Sequence, residues 1–199
     1  MAWIWADDLE DADFVGNFDY EVSTFRSSQV LSRKPLPADS GKAVMVVDNA
    51  NLADLARYQC LPTTGSAPVV HSAMAALMSR VASSLEVQFY PVTVRAVDGQ
   101  TQDYRFVIPL NTVTCTDPDK SIIRRWLVPG KSASGFKGLC HFADCLGNLC
   151  IARDSILEHV VVSDTLKSLL EDTGDPGLIF KQPEEMLDFY GKQYRARAH

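Results

Sequence analysis

The densest run of side chains able to do chemistry is Cys140, His141, Cys145 and Cys150, four soft donors within eleven residues. Thiolates and imidazoles of this kind build tetrahedral zinc sites. Their spacing matches neither paired C-x-x-C knuckles nor the two-cysteine, two-histidine finger, and cysteine is equally at home as a small buried apolar residue. A zinc protein or enzyme centred on these four residues is therefore an alternative, not the leading reading. A thiol nucleophile served by His141, His71 or His159 needs partners that meet in space, which sequence spacing does not reveal. His71 and His159 border apolar runs, where structural roles are the commoner fate. Gly130-Lys131-Ser132 ends like a phosphate loop, but Arg125 stands where the first glycine is required. No catalytic residue and no cofactor is assigned.

A second constellation opens the chain. Residues 1–21 carry Asp7, Asp8, Glu10, Asp11, Asp13, Asp19 and Glu21 without a Lys or Arg, interleaved with Trp3, Trp5, Phe14, Phe18 and Tyr20. Such a surface either merely keeps the protein in solution or complements a basic cleft on a partner protein, with aromatics as anchors and charge steering the encounter. The candidate binding residues are Trp3, Trp5, Asp7, Asp8, Glu10, Asp11 and Asp13. Trp3 and Trp5 share one parity in a strand, so they could equally be core. Positive charge gathers instead at Arg124, Arg125, Lys131 and Lys137, which read as the solvated face of a hairpin.

Bulk properties narrow the partners. A 199-residue chain with a formal charge of −6 lacks the basic surface that phosphate binding needs, so no direct nucleic-acid partner is expected. Five cysteines form an odd set that suits reduced thiols better than a disulfide framework. The start of the chain lacks the basic and apolar regions of a signal peptide, and no run approaches the roughly 20 apolar residues of a membrane span. These features predict a cytoplasmic protein without a membrane partner. Its oligomeric state is not legible.

The elements that must position these residues follow from periodicity. Residues 20–31 read as extended or irregular chain, and 43–47 as a buried strand. Asn51 and its neighbours offer a cap for a short helix carrying Leu52, Leu55 and Ala56. From Ser72 to Ser84, Met74, Leu77, Met78, Val81 and Leu85 keep amphipathic helical spacing. Val87–Val97, the Asp98-Gly99 turn and Tyr104–Ile108 predict a β-hairpin. Further strands are expected at Val113–Cys115, Ile122–Val128, Leu149–Arg153, Val160–Val162 and Leu178–Phe180. Ser163 is the expected N-cap of a helix with Leu166, Leu169 and Leu170 on one face, stopped by Gly174. After Pro183 comes a short terminal helix or a frayed end.

Two stretches match in pattern at an offset of 92 residues: Val69-Val70-His71-Ser72 with Met74, Leu77 and Met78, and Val161-Val162-Ser163-Asp164 with Leu166, Leu169 and Leu170. An internal duplication would produce this, as would two similar solutions to one local problem. The expected fold is α+β, a mixed or antiparallel sheet with β-hairpins and a few amphipathic helices. It is read as a single domain over 1–199, with an acidic and aromatic part at 1–66, a core at 67–183 and a tail at 184–199.

Val87-Gln-Phe-Tyr-Pro-Val-Thr-Val94, Tyr104-Arg-Phe-Val-Ile-Pro-Leu-Asn111, Cys115-Thr-Asp-Pro-Asp-Lys-Ser121 and Val161-Val-Ser-Asp-Thr-Leu-Lys-Ser-Leu-Leu170 closing on Gly177-Leu-Ile-Phe180 form a recognisable set. Across about residues 69–183 the chain resembles the eleventh family of immunity proteins from bacterial polymorphic-toxin and contact-dependent competition systems, formerly a domain of unknown function. The resemblance implies a non-catalytic protein that binds and neutralises a cognate toxin encoded by a neighbouring gene. It brings no catalytic residues with it, and residues 1–66 lie outside it.

Overall fold

The computed structural model describes residues 1–6, 12–31, 34–64 and 67–186. Its elements run β1 (Ala2–Trp5), β2 (Asn17–Phe18), β3 (Ala43–Val46), α1 (Leu52–Leu55), β4 (Cys60–Leu61), β5 (Val69–His71), α2 (Ser72–Met78), β6 (Val87–Ala96) and β7 (Gly99–Pro109). There follow β8 (Thr112–Val113), β9 (Ile122–Val128), β10 (Ser132–Gly138), β11 (Ile151–Asp154), β12 (Val160–Ser163), α3 (Asp164–Glu171) and β13 (Phe180–Lys181). They form a six-stranded sheet β2-β3-β6-β7-β5-β4, a five-stranded sheet β13-β1-β12-β11-β8 and a separate ribbon β10-β9. The mixed α+β fold expected from periodicity is the observed one.

The long hairpin β6–β7 forms the middle of the larger sheet, paired antiparallel from Val87 opposite Pro109 to Ala96 opposite Gly99, with one irregularity between Val92 and Val94. Its β-branched and aromatic side chains supply Tyr90, Val92, Val94, Tyr104, Phe106 and Ile108 to a core completed by Phe14, Phe25 and Met45. In the smaller sheet the first strand of the chain is internal: β1 lies between β12 and β13 and is antiparallel to both. Strand alternation then divides its side chains. Trp5 is buried and Trp3 half-buried against the helices, while Ala2 and Ile4 face a third cluster with Cys115, Phe136 and Leu146.

The two sequence units share one topology. In the first, β5 and β6 are each antiparallel to the intervening β7 and so parallel to one another. In the second, β12 and β13 stand in the same relation to β1. Each first strand ends in the cap of the following helix: His71 Nδ1 accepts from the Ala73 N–H and Ser163 Oγ from the Leu166 N–H. Equivalent helical positions carry the seam, with Met74 and Met78 of α2 and Leu166 and Leu170 of α3 all at 0 % exposure in one cluster. The pattern at offset 92 therefore corresponds to two split strand–helix–strand units meeting helix to helix.

Several expectations change in detail. The helix predicted to Ser84 ends at Met78, where the Ser79 hydroxyl bonds back to the Ala75 carbonyl and the chain tightens into i→i−3 turns. Leu85 is consequently exposed rather than part of the apolar face. Within 20–31 a 3₁₀ turn spans Ser27–Leu31. The strand expected at Val113–Cys115 is Thr112–Val113, and that at Leu149–Arg153 is Ile151–Asp154. After Pro183 there is a 3₁₀ turn, Pro183–Glu185; residues 187–199 lie outside the described residues. No helix among the described residues is long and apolar enough to cross a membrane.

Candidate functional site

The corner where β8 and β11 run parallel gathers most of the chemically able side chains. Asp154, the last residue of β11, is wholly buried. Its Oδ1 accepts from the Cys115 and Thr116 N–H groups, both at 2.9 Å, and its Oδ2 from Thr116 Oγ1 at 2.8 Å and from the Ile156 and Leu157 N–H groups at 3.1 and 2.8 Å. Five donors satisfy the buried carboxylate and fix the chain just beyond β8. Along that fixed segment runs residues 140–142: Asp117 N–H donates to the Cys140 carbonyl, Phe142 N–H donates to the Cys115 carbonyl, and Thr116 bridges to His141.

This places Cys115, His141 and Cys145 together, their ligand atoms all within 4.8 Å of one another. Cys115 and Cys145 are joined as a disulfide with Cα atoms 5.0 Å apart. The expectation that all five cysteines are reduced thiols is thus corrected for this pair: the ladder of backbone bonds between 115–117 and 140–142 brings the two sulfurs into bonding geometry. Both ring nitrogens of His141 are buried without a hydrogen bond, and burial lowers its pKa below the ordinary imidazole value, only partly opposed by Asp154 and Glu184. His159, with its ring 5.7 Å from Phe136, is held by burial at about 4. Both imidazoles are neutral at neutral pH.

The four-residue set Cys140, His141, Cys145 and Cys150 is not brought together. Cys145 is bonded to Cys115, and Cys140 is absent from the convergent group. Cys150 lies at the helix cluster, with its Sγ 3.3 Å from the Val81 carbonyl and its N–H donating to Glu86. The cause is local: the turn at 143–147, with Asp144 and Gly147 in the left-handed region, reverses the chain between the two ends of the run. Cys115 was the member missed. It lies 30 residues from Cys145, so no spacing rule pairs them.

The N-terminal candidates separate similarly. Trp5 is a core residue whose ring lies 5.4 Å from Phe180. Trp3 donates from Nε1 to Asp164 at 2.8 Å and has Lys167 Nζ 4.3 Å from its ring centroid, so it is engaged with α3. Hydrogen bonds from the Met1 ammonium group and from Trp3 hold the Asp164 carboxyl below the usual carboxylate range. Asp13 is exposed and accepts from the Tyr58 hydroxyl. Asp7, Asp8, Glu10 and Asp11 lie outside the described residues.

The β9–β10 ribbon is more than the solvated basic face that its sequence suggests. It exposes Ile122 at 59 %, Leu127 at 58 % and Val128 at 48 %, beside the exposed residues Arg124, Arg125, Lys131 and Lys137. Phe136 and Ala133 on β10 are buried and attach the ribbon to the body of the protein, where the Ala133 N–H donates to the Ile156 carbonyl. Among the described residues no third strand joins it. A cleft of about 510 Å³ at the far end of β3 and β6 is lined by Asp48, Arg95 and Gln100 among others. Its Arg95 is paired with Asp19 at 2.8 Å. No family model matches the chain, and no curated protein matches it.

Proposed function

We propose that the chain is an immunity-type protein that neutralises a cognate bacterial toxin, encoded by a neighbouring gene, through protein–protein contact. The sequence resemblance supports this reading. The residues that carry it lie largely on the scaffold, with Val87–Val94 in β6, Tyr104–Asn111 in and just beyond β7, and Val161–Leu170 in β12 and α3. A shared scaffold leaves partner choice to exposed segments.

The observation that carries the binding role is the ribbon. Ile122 at one end of β9 and Leu127 and Val128 at the other stand exposed, with the exposed Arg124 and Arg125 between them and Lys131 and Lys137 nearby, so the ribbon offers a partner both apolar and basic contact area. Among the described residues no strand pairs with the outer edge of β9, whose backbone groups could receive a partner strand. The acidic segment with Asp7, Asp8, Glu10, Asp11 and Asp13 would then steer the encounter rather than anchor it.

Co-expression with the toxin encoded next door is expected to restore growth and to yield a co-purifying complex. Leu127→Asp together with Val128→Asp, both at exposed positions, is expected to weaken that complex by at least about tenfold. Reversing the five acidic residues is expected to slow association and to reduce its salt dependence. Absence of both rescue and complex overturns the reading, whereas an intact complex with the ribbon variant moves the contact to another face.

A further inference from the structure

We propose that Cys115, Cys145 and His141 form a redox-gated metal site: once the disulfide is reduced, two thiolates and one imidazole bind a thiophilic divalent ion of the zinc class, and re-forming the disulfide expels it. The proposal is independent of toxin binding; it keeps His141 and Cys145 of the Cys140–Cys150 run and joins them to Cys115 in place of Cys140 and Cys150.

The first support is convergence. Three ligand atoms of the types zinc prefers already lie within 4.8 Å of one another. Tetrahedral coordination at ordinary zinc–sulfur distances separates two thiolates by roughly 3.8 Å, so the sulfurs need only part within the space the site already spans. Cys115 is the fixed partner, because its N–H is held by Asp154 and its carbonyl accepts from Phe142. Cys145 is the partner able to move, being half-buried in the turn that contains Asp144 and Gly147.

The second, independent support is His141. Both nitrogens of its imidazole are buried and neither is hydrogen-bonded, an arrangement that costs stability unless a partner is supplied. Ligation would use one nitrogen. The Asp154 carboxylate is filled by its five donors and so is not a ligand; it contributes negative charge behind the site. Three protein ligands leave a fourth position for water or another donor.

The redox step balances with a thiol reductant. Two small thiols supply two electrons and two protons, the Cys115–Cys145 bond breaks, and the small molecules leave as their own disulfide. On metal binding the two thiol protons pass to solvent and each sulfur donates a lone pair to the ion. In the reverse direction one cysteine thiolate attacks a small-molecule disulfide and releases a small thiolate. The second cysteine then displaces the other, and the ion departs hydrated.

The test uses the full chain, reduced by a phosphine without oxygen and titrated with Co²⁺ and then Zn²⁺. Reduced protein is expected to develop thiolate-to-cobalt charge-transfer and tetrahedral d–d bands that saturate at one ion per chain and are displaced by Zn²⁺. Protein reoxidised with glutathione disulfide is expected to show neither. Cys145→Ser and His141→Ala should lose the bands, while Cys140→Ser and Cys150→Ser keep them, with circular dichroism confirming a fold in each case. Reduced, folded parent protein without cobalt bands overturns the proposal, as does equal binding by oxidised protein or bands lost on Cys150→Ser. If a site variant fails to fold, the reduced and oxidised parent protein still decide the question.

Discussion

At the scale of single residues, Tyr104 shows how a buried polar group can set a pH limit. Its hydroxyl lies 2.8 Å from the Leu55 carbonyl and 2.9 Å from that of Tyr58, closing the end of α1 onto β7. Burial first, then the charges of Asp175 and Asp103, raise its pKa well above the ordinary phenol value of 10.0. The folded value exceeds the unfolded one, so the stabilisation is complete below about pH 10 and is lost as pH rises beyond it, because the unfolded chain ionises first. Tyr58, chiefly through its bond to Asp13, and Tyr90, chiefly through burial, act with the same sign. Denaturant melts of the parent protein should therefore show stability falling above about pH 10. Tyr104→Phe should be about 1 kcal/mol less stable at neutral pH, yet fall less steeply at alkaline pH; equal alkaline slopes would refute the assignment. Trp5 teaches a related lesson, since an aromatic that could anchor a partner is occupied by Phe180 and the helix cluster.

At the scale of elements, short β8 depends on Asp154 rather than on its own length. Two residues make few ladder bonds, and five donors converge on one carboxylate to hold the chain beyond it. Asp154→Asn replaces one acceptor oxygen by an NH₂ that faces donors, leaving two or three of them unsatisfied. Urea unfolding should register a loss of about 2–3 kcal/mol, and hydrogen exchange should quicken first at Cys115 and Thr116. An unchanged midpoint would mean that the corner is held by packing. The ribbon β9–β10 is the contrasting case. Buried Phe136 and Ala133 tether it while its outer side chains remain free of the core, so substitutions at Leu127 and Val128 can test binding with little cost to folding.

For the whole molecule, the critical joint lies between the two sheets. The Asp175 carboxylate accepts from the N–H groups of Gln59, Cys60 and Gly177, tying the loop after α3 to β4. A Cβ at Gly177 would collide with the Cys60 carbonyl, a backbone atom that cannot turn aside. Gly177→Ala should therefore cost about 1–3 kcal/mol and lower the thermal midpoint of a cooperative transition; a neutral result would show that the joint can open. The long hairpin, the strand at 43–47, the Asn51 and Ser163 caps and the paired units at offset 92 were all legible in the chain, because periodicity and capping are local and each residue carries its own preference. The inward face of β1 was legible only as parity, since nothing in Ala2–Trp5 says that it will enter a sheet between β12 and β13. The site was legible in part: His141 and Cys145 were marked by type, but their partner Cys115 was not, and Cys150 was wrongly grouped with them. Residue type and local spacing by themselves determined the elements, the caps and the supply of thiols and imidazoles. Only tertiary structure decided which of these meet, because the backbone ladder between 115–117 and 140–142 joins segments that no local rule relates.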